Sequence, residues 1–373
     1  MKKIIALFFL VFFVVITTGC SSHKKDDISL ESAVHRNEIF GSATFELTAD
    51  DFRNAGFSLG DSCDVIFENG LTLRDVPYYN GYYVKNGAPV VVAYPGYPEV
   101  SITYNNIGIW EEAGLEDGER VTVILSEKGK YSDVQDVLGQ KYSTDREDYS
   151  SDREFVNFRA LSGGELKDGF LFRGASPVDN VRGRAEYTDR LLAEEGIRFV
   201  INLSDTVENY TKYTSEEDFK SPYSASLCEE DSMLFLGLGS AYASDAFRDK
   251  IAYAMKELVK SEGPVYIHCV EGKDRTGFVC ALIEAFAGAS YDEMLADYMI
   301  TYYNYYKVDK DSTPEKYKAI ADLYFDGFMA FLHGTDDEEV LKTADYREDA
   351  ERYLKDGGMT EEEIKAFRAM ISK

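Results

Sequence analysis

His268 and Cys269 follow an apolar run, and Arg275 and Thr276 stand one short loop further on. Five residues separate the thiol from the guanidinium, in the string His268-Cys269-Val270-Glu271-Gly272-Lys273-Asp274-Arg275-Thr276-Gly277. A loop of this length running into a helix turns its backbone N–H groups inward and makes a nest for a tetrahedral dianion. The helix N-terminus adds partial positive charge on the same side. Gly272 supplies a backbone angle that a side chain would resist. The field that favours phosphate also favours thiolate, so Cys269 is expected to be acidified and nucleophilic near neutral pH. Arg275 suits a two-oxygen fork on phosphate. Val270, Glu271, Gly272, Lys273, Thr276 and Gly277 complete the phosphate cradle, with the Thr276 hydroxyl placed to donate to the sulfur. His268, at the strand end, orients the loop from behind.

This string resembles the signature loop of the cysteine-dependent protein tyrosine and dual-specificity phosphatases. Its Gly-Lys-Asp-Arg-Thr version is similar to a bacterial subgroup of atypical phosphatases, over roughly residues 153–310. The resemblance implies a phosphomonoester hydrolase working through a phosphocysteine, with no metal and no cofactor. Protein phosphotyrosine is the first expected substrate, dual specificity being open, and a phosphoinositide or inositol polyphosphate is the alternative. A reading of another class is a non-catalytic phosphate-binding surface lipoprotein. Typical members take the leaving-group proton from an Asp in a Trp-Pro-Asp loop, but the only tryptophan here is Trp110, in a different region. The subgroup implicates the Asp before the loop Arg, which is Asp274. Asp205, just past a buried strand, is the alternative acid, and Asp231 and Asp245 are outside candidates. The subgroup's own aspartate in that strand is matched by Asn202. Lys273 either adds charge beside the phosphate or is simply solvated.

The elements that must hold this loop are legible around it. Residues 264–267 read as a short buried strand. Ahead of it, residues 169–177 resemble the first strand of the same subgroup, ending in a similar Arg173. A short helix over 186–195 turns Leu191 and Leu192 inward and closes on Gly196, and a buried strand follows over 197–203. Ligands of open α/β sheets sit at strand ends like that of Asp205. Residues 244–259 carry Phe247, Ile251, Met255 and Leu258 on one helical face. Strand and helix thus alternate, which argues a parallel sheet with flanking helices. Downstream, Ser290-x-x-Glu293 and Thr360-x-x-Glu363 are capping boxes, and Thr313-Pro314 opens a helix. The aromatic stretch 298–306 is read as core packing rather than a pocket wall.

Residues 41–145 read as a small all-β barrel or sandwich preceding this α/β domain. Short runs at 65–68, 82–84, 89–94, 100–104 and 121–125 are punctuated by Asn-Gly at 69–70, 80–81 and 86–87. The pattern resembles the C-terminal barrel of bacterial S-adenosylmethionine hydrolases, in fold alone. Tyr78, Tyr79, Tyr82, Tyr83, Tyr94 and Tyr97 either pack hairpins, the preferred reading, or bind sugar or peptide. The charged stretch 144–153 serves as the domain linker.

Residues 1–19 read as a signal peptide, with Lys2 and Lys3 before an apolar run of 13 residues over 4–16, short for a membrane span. Thr17-Thr18-Gly19-Cys20 resembles a bacterial lipoprotein processing box, with Cys20 as the lipid attachment and residues 20–40 as a tether. Plain secretion after cleavage at another small residue is the alternative. The expected location is extracytoplasmic, lipid-anchored to the bacterial cell membrane. The phosphatase region is bounded at 153–335, leaving 336–373 as an acidic helical extension. With 67 acidic against 40 basic residues the net charge is −27, which excludes the basic footprint that nucleic-acid binding needs. Cys280 is read as core, the pairing of Cys63 and Cys228 is open, and the four histidines never stand at a metal-ligand spacing from cysteine.

Overall fold

Seven strands close into a barrel at the start of the computed structural model, which describes residues 28–139 and 142–373. The signal peptide and Cys20 lie outside the described residues. The barrel strands are β1 (Ser29–Arg36), β2 (Ala43–Thr48), β3 (Ser62–Phe67), β4 (Thr72–Tyr79), β5 (Pro89–Val92), β6 (Glu99–Tyr104) and β7 (Glu119–Glu127). Their order around the barrel is β1-β2-β6-β5-β4-β3-β7. Period-two alternation fills it: Ala43 and Phe45 on β2, Val65 and Phe67 on β3, and Val100 and Ile102 on β6 point to one apolar core.

Two expectations change here. The stretch read as tether carries β1, which pairs with both β2 and β7 and so helps close the barrel. Asn69-Gly70 does turn a hairpin between β3 and β4. By contrast β4 and β5 run parallel, so residues 80–88, with Asn-Gly at 80–81 and 86–87, form a connection that returns to the same end. The run at 82–84 is not a strand.

The second sheet holds β8 (Arg159–Ala160), β9 (Leu171–Gly174), β10 (Phe199–Asn202), β11 (Met233–Phe235) and β12 (Val265–His268), in the order β11-β10-β12-β9-β8. The four strands β9 to β12 are parallel, and the edge strand β8 is antiparallel, so the sheet is mixed. The sequence reading missed β8 and β11 because each is only two or three residues long. β12 is central and feeds the helix Asp274–Phe286, in which every residue after Asp274 is buried. Residues 245–258 form the expected helix, with Phe247, Ile251, Met255 and Leu258 in the core.

Besides its own interior core, the barrel contributes to the apolar core of the α/β region. Tyr79, Val90, Val92 and Leu138 join a cluster with Leu203, Leu238, Phe278 and Tyr298. Residues 336–373 are not an appendage either. Leu341, Tyr346, Phe367 and Ile371 belong to the same cluster, and the Lys373 N–H donates to the Glu165 carbonyl. Cys63, Cys228, Cys269 and Cys280 are all free thiols, so no bridge links Cys63 to Cys228.

Candidate active site

The loop between β12 and the helix Asp274–Phe286 is shaped by bonds to its carbonyls. Ser176 N donates to Val270 O (3.0 Å), Tyr305 Oη to Glu271 O (2.7 Å), and Gly277 N to Lys273 O (2.7 Å). Gly272 O accepts from both Arg173 Nη2 (3.0 Å) and Asn157 Nδ2 (3.1 Å). With these carbonyls turned outward, the N–H groups face the other way. Among the described residues, no backbone N–H from Val270 to Lys273 donates to protein. The loop presents an anion nest at a helix N-terminus. Gly272 is obligatory there: its φ is +66°, and a Cβ would stand 2.2 Å from the Gly174 carbonyl oxygen.

A cavity of about 230 Å³ opens over this nest. Cys269, Val270, Glu271, Lys273, Asp274 and Arg275 line it, while His268, Gly272, Thr276 and Gly277 do not. Cys269 is buried, 3% exposed. Arg275 is held by Nη1, which donates to the Leu238 carbonyl (2.8 Å), and its guanidinium lies 5.3 Å from the Phe40 ring centre. Among the described residues its Nε and Nη2 have no partner and remain available for an anion. The Thr276 hydroxyl is buried and unbonded, so the expected bond to sulfur is not formed.

Lys273 is not a solvated lysine. It is 3% exposed, donates to Tyr94 Oη (3.0 Å) and Tyr306 Oη (3.4 Å), and stands 3.6 Å from Asp274 Oδ2. Burial alone would lower its pKa, but Asp274 and the surrounding tyrosines outweigh it and hold the ammonium charged. Asp274 exposes 56% of its side chain, and it does so into the cavity. Burial raises its pKa above the usual carboxylate value, against the pull of Lys273. Glu271 is the one carboxylate in the middle of the nest, and it is neutralised. Arg182 Nε (3.0 Å) and Tyr142 Oη (2.8 Å) both donate to its Oε1. Its burial would raise its pKa, but Lys273, Arg182 and Arg184 pull it below the ordinary value.

His268 is fully buried, with Nδ1 3.1 Å from the Cys269 carbonyl oxygen, and burial pushes its pKa down to about 4. It is a neutral ring at pH 7. Asp205 does not overhang the cavity and is not among its lining residues. Its carboxylate instead accepts from Asn202 Nδ2 (2.8 Å), Ser204 Oγ (3.2 Å) and Tyr213 Oη (3.4 Å), closing the turn after β10. Asp231 and Asp245 do not line the cavity either.

The barrel supplies the opposite wall. Tyr82, Tyr94 and Tyr97 line the cavity, whereas Tyr78, Tyr79 and Tyr83 are packed in the cores. The cluster thus divides between cavity wall and core packing. Tyr298 also lines the cavity, and Tyr302 and Tyr306 surround Lys273. Sequence reasoning missed Arg182, which links the Glu271 carboxylate to the barrel through the Pro95 carbonyl (3.1 Å). It had no signal for Asp179 either, whose carboxyl burial pushes up to about 6 but which is not among the cavity's lining residues. Neither sits in a motif, and an isolated Arg or Asp in a loop carries no periodic signal.

A thiol, a half-free guanidinium and a backbone nest thus stand together at the C-terminal ends of the parallel strands of an α/β region. The sequence model described as the tyrosine phosphatase family matches residues 152–373, and the chain belongs to that family. No curated protein matches the chain. Among solved structures, an uncharacterized conserved protein from Thermotoga maritima is 14% identical at a TM-score of 0.23, the match covering 25% of this chain and 35% of that one. The TpbA protein of P. aeruginosa is 17% identical at a TM-score of 0.23, covering 57% of this chain and 89% of that one.

Proposed function

We propose that this chain is a phosphomonoester hydrolase that acts through a phosphocysteine on Cys269. The Cys269 sulfur attacks phosphorus in line, and a P–S bond forms as the P–O bond to the alcohol breaks. Asp274 gives its proton to the departing oxygen. Water then attacks the phosphocysteine and passes a proton to the Asp274 carboxylate, which frees phosphate and restores the thiolate. Arg275 and the inward N–H groups hold the equatorial oxygens through both steps. The observation that carries this reading is the outward turn of the loop carbonyls around Cys269.

The family match supports a phosphotyrosyl ester as one the site accepts. An inositol polyphosphate is supported less well, because Arg182 and Lys273 are already engaged by Glu271, Asp274 and tyrosines. The test is hydrolysis of an aryl phosphate by residues 28–373 with chelator present, then with vanadate. Turnover that resists chelator, is blocked by vanadate and is lost in Cys269→Ser is expected. Phosphate binding with no turnover by the unsubstituted protein would favour the non-catalytic reading. The same proposal places the protein outside the cytoplasm on a lipid at Cys20. Metabolic labelling with a fatty acid should mark the protein and not its Cys20→Ala variant, while an unlabelled secreted protein would overturn the anchor.

A further inference from the structure

Just over half of the residues lining the cavity belong to the barrel. Outward positions on β2 and β6 are hydroxylated: Thr44 on β2 is paired in register with Ser101 on β6, and Ser42 and Thr103 continue the two rows. On a solvent-facing barrel such positions would be open. Here Ser42 and Thr103 are each 5% exposed, because this face looks into the cavity. Thr103 Oγ1 donates to the Tyr104 carbonyl (3.2 Å). Among the described residues, the hydroxyls of Ser42, Thr44 and Ser101 have no hydrogen-bond partner. Ser42 is buried and Thr44 and Ser101 are half-buried, so these hydroxyls stand free on the cavity wall for a ligand with hydroxyls of its own.

The remaining wall is aromatic. Tyr82 and Tyr94 have ring centres 5.9 Å apart, and Tyr94 and Tyr97 6.0 Å apart, so the three rings make one aromatic patch of the same lining. Aromatic faces next to hydroxyls match the C–H and O–H surfaces of a sugar or polyol. Of the cavity's three cations, Arg182 and Lys273 are paired, which leaves Arg275 for a single phosphate. The volume, about 230 Å³, lies below the roughly 300–1,000 Å³ usual for drug-sized ligands. A phosphorylated side chain on a folded protein brings its backbone to such a cavity. A small molecule enters whole.

We propose that the barrel is the substrate-selecting wall of this site and that it selects a sugar or polyol monophosphate. The proposal rests on the phosphomonoesterase reading above. Its chemistry is the same: the P–O bond to the polyol breaks, and Asp274 protonates the released hydroxyl.

The test compares two primary alkyl esters, so that leaving-group quality does not decide it. With glucose 6-phosphate, kcat/KM is expected to exceed that with a phosphoseryl peptide by at least tenfold. A peptide turned over as fast or faster, or inositol hexakisphosphate preferred to both, would overturn the proposal. In Thr44→Val/Ser101→Ala, the ratio of kcat/KM for glucose 6-phosphate to that for an aryl phosphate should drop about tenfold, and an unmoved ratio would sink the idea. Binding gives an independent reading with the barrel intact. Cys269→Ser protein should bind glucose 6-phosphate at least tenfold tighter than inorganic phosphate, and equal affinities would count against the wall. Absence of any aryl phosphate turnover would instead refute the hydrolase reading, which separates the two failures.

Discussion

Asp274 is the side chain on which the rate turns in the mechanism proposed here. It faces the cavity, its pKa is raised by burial, and Lys273 stands 3.6 Å away to stabilise the carboxylate that remains after proton transfer. Acid assistance of this kind is worth roughly 10²–10⁴ in rate, and most for poor leaving groups. Asp274→Asn is therefore expected to slow alkyl phosphates far more than aryl phosphates, and to flatten the basic limb of the pH–rate profile. If Asp179→Asn or Asp205→Asn shows that dependence instead, the proton comes from another carboxyl. His268 sets a separate pH signature, in stability. Its folded pKa is about 4 against 6.5 unfolded. Between those values the unfolded chain binds a proton that the folded chain refuses. Stability present above pH 6.5 is thus lost as pH falls through this window, by about 3 kcal/mol. Denaturant melts at pH 7 and pH 4.5 should show the loss, and His268→Asn should reduce it.

The loop after β12 is an element held from two sides. Behind it, Asp297 bridges Arg159 Nε (2.7 Å) and Arg173 Nη1 (2.6 Å), and Arg173 in turn fixes the Gly272 carbonyl. Burial would raise the Asp297 pKa, but the two guanidinium groups keep it low. Removing one partner of such a buried network strands the others, which typically costs 3–5 kcal/mol. Asp297→Asn should lower stability by about that amount in chemical denaturation. In front, Arg182 ties Glu271 to the barrel. Arg182→Met leaves the Glu271 carboxylate beside the incoming phosphate without its partner. A rise in KM of tenfold or more is expected with a smaller change in kcat, and an unchanged KM would show that Glu271 is neutralised by other means.

At the level of the whole molecule, one apolar cluster runs from Tyr79 and Val92 of the barrel to Phe367 and Ile371 near the C-terminus. Two independently folding domains would melt in two steps. This continuity predicts a single calorimetric transition, with loss of enzyme activity at the same temperature. The net charge of −27 acts over the same scale. It repels anionic substrates at long range, and salt screens that repulsion beyond about 10 Å at 0.1 M. The kcat/KM for a phosphomonoester should therefore rise between about 0.01 and 0.1 M salt.

The local chemistry was readable without the structure because it is written contiguously. The ten residues from His268 to Gly277 specify strand end, nest and helix start in one string, and the capping boxes at Ser290 and Thr360 form as spelled. Hydrophobic period revealed the long helices and the buried strands β10 and β12 for the same reason. Pairings between distant segments were not readable. The closing role of β1 depends on β7, some 90 residues away, and the parallel pairing of β4 with β5 contradicts what Asn80-Gly81 suggests locally. Nor can alternation say what a polar strand face looks at. Only the packing of the barrel against the loop after β12 makes Ser42, Thr44, Ser101 and Thr103 a cavity wall. Likewise the sequence offered Asp205 as the alternative acid to Asp274, with nothing to place either side chain. The turn after β10 consumes Asp205 in hydrogen bonds, and the helix start aims Asp274 at the cavity.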